Sequence, residues 1–219
     1  MMLAREIVED IPIAVRVADG PEGLSAIHRP GCAAAIWQRD PQPSFQSWID
    51  GLAPEQLPRA RVILRPEDVR ETALQICEAS GTPDDTERAR LIDDTAALAD
   101  IFAGLIGMPY LRLRYDVIKT NACRKFHTDY TKARLICTYR GIGTQYGIST
   151  DGAQPGRIFT VSTGAPILLR GTLWSEHPNS GLRHRSPPID GTDKTRLVLV
   201  LDTISEPVDK YRSPLLREQ

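Results

Sequence analysis

The period of the hydrophobic pattern changes at residue 108, and that change restricts the architecture open to the chain. Across residues 84–107, Leu91, Thr95, Leu98, Ile101 or Phe102, and Leu105 recur at helical spacing. Thr82, Pro83, Asp84 and Asp85 supply a start signal, and Gly107 with Pro109 supplies a stop. The segment predicts one long amphipathic helix whose apolar stripe must be covered by another element. Pro66, Glu67 and Asp68 open a second helix that runs to residue 79, and residues 44–51 predict a short third one. Beyond Met108 the helical period is lost. Residues 110–118, 133–139, 157–161, 166–169, 181–186 and 196–204 read as short strands between clusters of Gly, Pro, Asn and Asp.

Short strands so spaced belong to a sandwich or a barrel. With residues 33–38 as an additional N-terminal strand, the expected fold class is α+β: a mainly helical part over 1–108, a β core over 109–205 and a tail over 206–219. Flexible linkers are scarce between the halves and 219 residues suit one domain, so a single fused unit is expected over 1–219. No internal repeat suggests a solenoid.

Composition narrows the function classes. Hydrophobic residues at 41% and charged residues at 25% describe an ordinary globular chain. Lys and Arg number 27 against 28 Asp and Glu, so no overall basic field exists to attract nucleic acid. No run approaches the roughly 18 apolar residues of a membrane span. Arg5, Glu6, Glu9 and Asp10 precede any long apolar run, unlike a secretory signal, and a cytoplasmic protein is expected. Cys32, Cys77, Cys123 and Cys137 form no C-x-x-C pair, which points to reduced thiols buried as small hydrophobes.

The chemistry concentrates in few residues. His127 and Asp129 stand two apart in a strand-like run, and in an extended chain such residues face one side, where they can grip one ion. His184 lies in a later β-run, "GLRHRSPPIDGTDKTRLVLVLD". Two imidazoles and one carboxylate on one face of a six-coordinate ion leave the opposite positions open, an arrangement that suits Fe(II). His28 and His177 sit in polar, turn-rich loops and read as ordinary loop histidines, with His177 a secondary candidate at the mouth of a site. Arg196 opens the last apolar strand and shares an inward face with Val198 and Val200, where an unpaired cation is costly. "GIGTQYGISTDGAQPG" lacks the following Lys-Ser or Lys-Thr helix of a phosphate cradle. It reads as a mobile connection covering a site, with Asp151 and Gln154 as solvated turn residues.

The order His127-x-Asp129, His184, then Arg196 after Pro187, Pro188 and Gly191 resembles the Fe(II)/2-oxoglutarate-dependent dioxygenases on the double-stranded β-helix (jelly-roll) fold, over residues 110–202. The whole chain also resembles a bacterial domain family of unknown function, from which no activity follows. The dioxygenase resemblance implies a C-terminal jelly-roll with the helical layer packed on it. It makes His127, Asp129 and His184 the iron ligands, and Arg196 the cation for the distal carboxylate of 2-oxoglutarate. A planar guanidinium fork matches a carboxylate with two hydrogen bonds. Tyr115 resembles a tyrosine often found on the strand before the H-x-D. Tyr139, on the parity of Leu135 and Cys137, is placed to reach cosubstrate or substrate; for both tyrosines the alternative is a core position with the hydroxyl satisfied locally. Val198 stands where a serine often accompanies the arginine, and Arg183, Arg185 and Lys194 are alternatives to Arg196 or a basic rim for an anionic substrate.

The implied activity couples decarboxylation of 2-oxoglutarate to hydroxylation of a small molecule or side chain that the sequence does not identify. A cupin-like metal-dependent enzyme without 2-oxoglutarate, or a non-enzymatic module holding Zn(II), uses the same three ligands.

Overall fold

The computed structural model describes residues 14–149, 153–175 and 180–204. In chain order the first part holds β1 (Val15–Ala18), β2 (Ala34–Trp37), α1 (Pro43–Gly51), β3 (Ala60–Leu64), α2 (Val69–Ala79) and α3 (Thr86–Ile106). The second holds β4 (Tyr110–Ile118), β5 (Ala133–Arg140), β6 (Gln145–Ile148), β7 (Phe159–Thr160), β8 (Pro166–Arg170), β9 (Leu182–Arg185) and β10 (Arg196–Ile204). The fold is a mixture of helices and sheet dominated by one large sheet.

The long helix starts and stops where its caps dictate. The Asp85 carboxylate accepts from the backbone N–H groups of Glu87 and Arg88 at 3.0 and 2.9 Å, satisfying donors that a helix start leaves open. Gly107, at φ 67°, takes the left-handed conformation that closes the helix. Leu91, Thr95, Leu98, Phe102 and Ile106 form its buried face, whereas Ile101 and Leu105 are only partly buried. α2 follows a 3-10 turn at Pro66–Asp68, where Pro66 sets the first helical φ.

The large sheet has the order β1-β2-β8-β5-β10-β4-β3, and a smaller one runs β7-β6-β9. β10 lies centrally, antiparallel to both β4 and β5. Alternation gives its strands two buried faces. Leu197, Leu199 and Leu201 of β10, with Leu135 and Cys137 of β5, join the helices in one core. Val198 and Val200, with Ile136, pack with Tyr146 and Leu182 of the smaller sheet in a second core.

Three features depart from the sequence expectation. β1 and β3 were not expected, and they place residues of the N-terminal part in the same sheet as β4 and β8. β3 is an edge strand with Arg61 exposed, so its hydrophobic alternation is weak. The glycine-rich stretch, where a mobile connection was expected, forms a strand at Gln145–Ile148, β6, paired on both sides. Its glycines reflect close backbone approach: a Cβ on Gly147 would lie 2.5 Å from the Arg157 carbonyl oxygen, and one on Gly143 1.8 Å from that of Val161. Gln154 is exposed, while Asp151 lies outside the described residues. Cys32, Cys77 and Cys137 are buried free thiols, but Cys123 is exposed. Among the described residues no helix is long and apolar enough to cross a membrane.

Candidate functional site

The irregular segment between β4 and β5 is pinned to β9 by a backbone bridge and by side-chain contacts, among them Thr128 Oγ1 donating to the Leu182 carbonyl at 3.3 Å. His127 N–H donates to the His184 carbonyl and His184 N–H to that of His127, both at 3.0 Å, an isolated antiparallel bridge. Residues so paired are close neighbours on one face of the ladder, and the two imidazole rings lie 4.6 Å apart. Asp129, two residues on, returns to the same side. His127 Nε2 is 3.4 Å from Asp129 Oδ1 and His184 Nε2 is 3.0 Å from Asp129 Oδ2. One ligand atom from each residue falls within 4.8 Å of the others.

The donor set fits a divalent metal. His127 Nδ1 lies 2.8 Å from the Lys125 carbonyl, which only accepts, so the proton sits on Nδ1 and Nε2 presents its lone pair to the Asp129 carboxylate. Asp129 Oδ2 is buried and accepts no hydrogen bond. Lone pairs facing one another in a half-buried cluster call for a cation between them. The electrostatics agree. Burial pushes the Asp129 carboxyl up, but the close approach of His127 and His184, together with Arg134, outweighs it and holds the group well below the usual carboxylate range. The contact with Asp129 raises His127. Burial lowers His184, favouring the neutral form that ligates metals.

A cavity of about 480 Å³ opens beside the cluster and is also lined by Arg196, the first residue of β10. Arg196 is 1% exposed. Its Nε donates to the Ile142 carbonyl at 2.6 Å, Nη1 to Ser186 Oγ at 3.2 Å and Nη2 to Thr138 Oγ1 at 3.4 Å. Among the described residues no carboxylate pairs with it, and burial lowers its pKa to about 10. A buried guanidinium held only by neutral oxygens is a site prepared for an anion. The hydroxyls of Ser186 and Thr138 stand where Val198 offers none.

Tyr115 and Tyr139 do not reach this cavity, which corrects the expectation for both. Tyr139 was placed by strand parity and Tyr115 by the resemblance, but both pack in the core shared with the helices. Tyr115 Oη lies 2.5 Å from Thr95 Oγ1 on α3. Tyr139 Oη donates to Asp94 Oδ2 at 2.7 Å, also on α3. Burial raises both phenols, so both stay protonated core groups. Arg183 and Arg185 alternate with His184 along β9, and Arg185 still lines the edge of the cavity, whereas Arg183 does not. Arg185 donates to Gln145 Oε1 at 2.8 Å and stacks over Phe126 at 4.5 Å. Lys194 is exposed in a turn. His28 binds the Leu105 carbonyl at 2.9 Å, remote from the cluster, and His177 lies outside the described residues.

Sequence reasoning missed Arg134 and Asp202. Arg134 donates to Asp129 Oδ1 through Nη1 and to Asp202 Oδ1 through Nε, the latter at 2.5 Å, so it holds Asp129 from behind. The available signal was Asp202 itself, a charge on the inward parity of an apolar strand, where burial to 2% demands a partner.

Comparison with known proteins adds the following. No curated protein matches the sequence at a significant level. Among solved structures, the dioxygenase for auxin oxidation of rice is 13% identical, with 92% of this chain and 86% of that one covered and a TM-score of 0.48. Dioxygenase for auxin oxidation 1 of Arabidopsis thaliana, solved in complex with 2-oxoglutarate, is 11% identical over 90% of this chain and 94% of that one, at 0.49. Both scores fall below one half, and neither likeness carries weight for the chemistry. The family pattern of "Protein of unknown function (DUF1826)" matches residues 18–202, and the chain belongs to that family.

Proposed function

We propose that the protein is an Fe(II)- and 2-oxoglutarate-dependent oxygenase built on a double-stranded β-helix. The observation that carries this is the placement on one cavity of the His127, Asp129 and His184 donors and of the buried Arg196, which is held by neutral oxygens. A large sheet facing a smaller one, with His184 on β9 and Arg196 on β10, supports the β-helix reading. His127, Asp129 and His184 hold the metal. Arg196 takes the distal carboxylate of 2-oxoglutarate, with Ser186 and Thr138 keeping its fork in place. Fe(II) with 2-oxoglutarate and O2 would supply hydroxylation of a C–H bond, one oxygen atom entering the substrate and the other the succinate formed with release of CO2. The chain supplies orientation: Arg134 fixes the Asp129 carboxylate, and the apolar Ile136, Val198 and Val200 keep one wall of the cavity dry. The substrate is a small molecule or a side chain.

Anaerobic addition of Fe(II) and 2-oxoglutarate tests the reading through the visible charge-transfer band of the ternary complex. The wild type develops the band. H127A, D129A and H184A bind no Fe(II), whereas H28A behaves as wild type. R196A binds Fe(II) normally but needs about tenfold or more 2-oxoglutarate, the loss expected for a charge-assisted bidentate pair. Absence of the band in a wild-type protein that binds Fe(II) sinks the 2-oxoglutarate reading.

A further inference from the structure

On the cavity side of β3 and β4 the sheet sets two arginines directly opposite each other. Ala60 and Val62 of β3, and Leu113 and Tyr115 of β4, pack toward the helices, so alternation turns Arg61 and Arg114 to the other side. The two are register partners across the ladder. Like charges in that position destabilise a sheet.

Arg114 also lines the cavity of His127, Asp129 and His184. Its side chain is 21% exposed, and its Nε is buried and donates to nothing. The nearest carboxylates, Asp116 and Asp202, lie 3.6 and 3.9 Å away, beyond hydrogen-bond length. Arg134 engages Asp202 through Oδ1 at 2.5 Å, and the Oδ2 that faces Arg114 accepts no hydrogen bond. Arg114 therefore presents an incompletely used fork, beside a second cation, to the space next to the ligand cluster. That combination fits an oxyanion.

Arg114 is not a second view of the Arg196 site. Arg196 pairs with Ile118 on β4 and Arg114 with Val200 on β10, four residues further along, which separates them by about 13 Å of strand. We propose that Arg114 binds a carboxylate or phosphate group of the substrate, so that the substrate is anionic and is anchored on the β4 side of the cavity. The identity of that anion as substrate rests on the oxygenase reading; the binding of an oxyanion at Arg114 does not.

Two probes test this in the metal-free and in the Mn(II)-loaded protein: inorganic phosphate, followed by its ³¹P line width, and acetate, followed by ¹H saturation transfer. One or both bind, and the preference tells phosphate from carboxylate. R114Q weakens binding by about tenfold or more, as loss of a charge-assisted fork requires. R114K keeps the charge without the fork and controls for folding by circular dichroism. The comparison is repeated on an R196Q background, where the Arg114-dependent binding persists. Bound Mn(II) broadens the probe resonance, placing the anion near the cluster. Failure of both probes to bind, binding indifferent to R114Q, or binding that bound Mn(II) does not broaden overturns the proposal. Failure of Mn(II) to bind counts against the oxygenase reading alone.

Discussion

Asp129 and Tyr139 illustrate how a side chain's partner, more than its type, decides what it does. Each carboxylate oxygen of Asp129 meets an imidazole Nε2, and Arg134 holds the group from the far side. Tyr139 has an equally polar tip but spends it on Asp94, which Arg39 also grips through two bonds of 2.6 and 2.7 Å. Tyr139→Phe removes a part-buried hydrogen bond to a charged acceptor and a longer one shared with Thr95 Oγ1, and nothing from the metal cavity. Stability falls by about 1–3 kcal/mol in urea unfolding, while 2-oxoglutarate affinity, read from the charge-transfer band, stays at the wild-type value. A loss of that affinity would return Tyr139 to the cosubstrate site.

At the scale of elements, α3 and β6 depend on different kinds of local instruction. Asp85 caps α3 and also accepts from Trp48 Nε1 at 2.8 Å, tying α1 to the start of the long helix. Asp85→Ala costs about 1–2 kcal/mol by loss of the cap, and Asp85→Asn recovers part of it; equal midpoints for wild type and D85A in urea would refute the assignment. β6 is held by the closeness of its neighbours. Gly147→Ala drives a Cβ to 2.6 Å from Pro155 Cβ and 2.5 Å from the Arg157 carbonyl, so β6 must shift. β6 flanks β9, with Tyr146 opposite His184. G147A is therefore expected to lower both the melting temperature and the affinity for Fe(II), a coupling that G156A, whose Cβ meets nothing, does not show. Unchanged metal affinity in a folded G147A would separate β6 from the site.

For the whole molecule, the sheet joins parts that are far apart in sequence. β3 pairs with β4, and β2 with β8, so residues before 108 close both sides of the sheet begun after it. One cooperative unfolding transition is therefore expected. Trp48 reports on α1 and Trp174 on the segment after β8, and variants retaining only one of these tryptophans give coincident urea midpoints. Two separated transitions would mean that the halves are independent.

Much of this was legible in local pattern. The strands at 110–118 and 196–204 and the long helix coincide with the predicted segments, because alternation, helical period and capping act within a few residues. The co-facing of His127 and Asp129 was suggested by their spacing, but in an irregular segment it is held by the bridge to His184 and by Arg134. What only the tertiary structure decided is which face meets which layer and which strands are neighbours. Alternation puts Tyr139 with Leu135 and Cys137 but is silent on whether that face meets helices or a cavity. Arg134 on Asp202, Arg61 opposite Arg114, and His184 bridged to His127 depend on strand register between segments remote in the chain. Those choices are made by the burial of both sheet faces together, a collective contact energy that no short window of sequence contains.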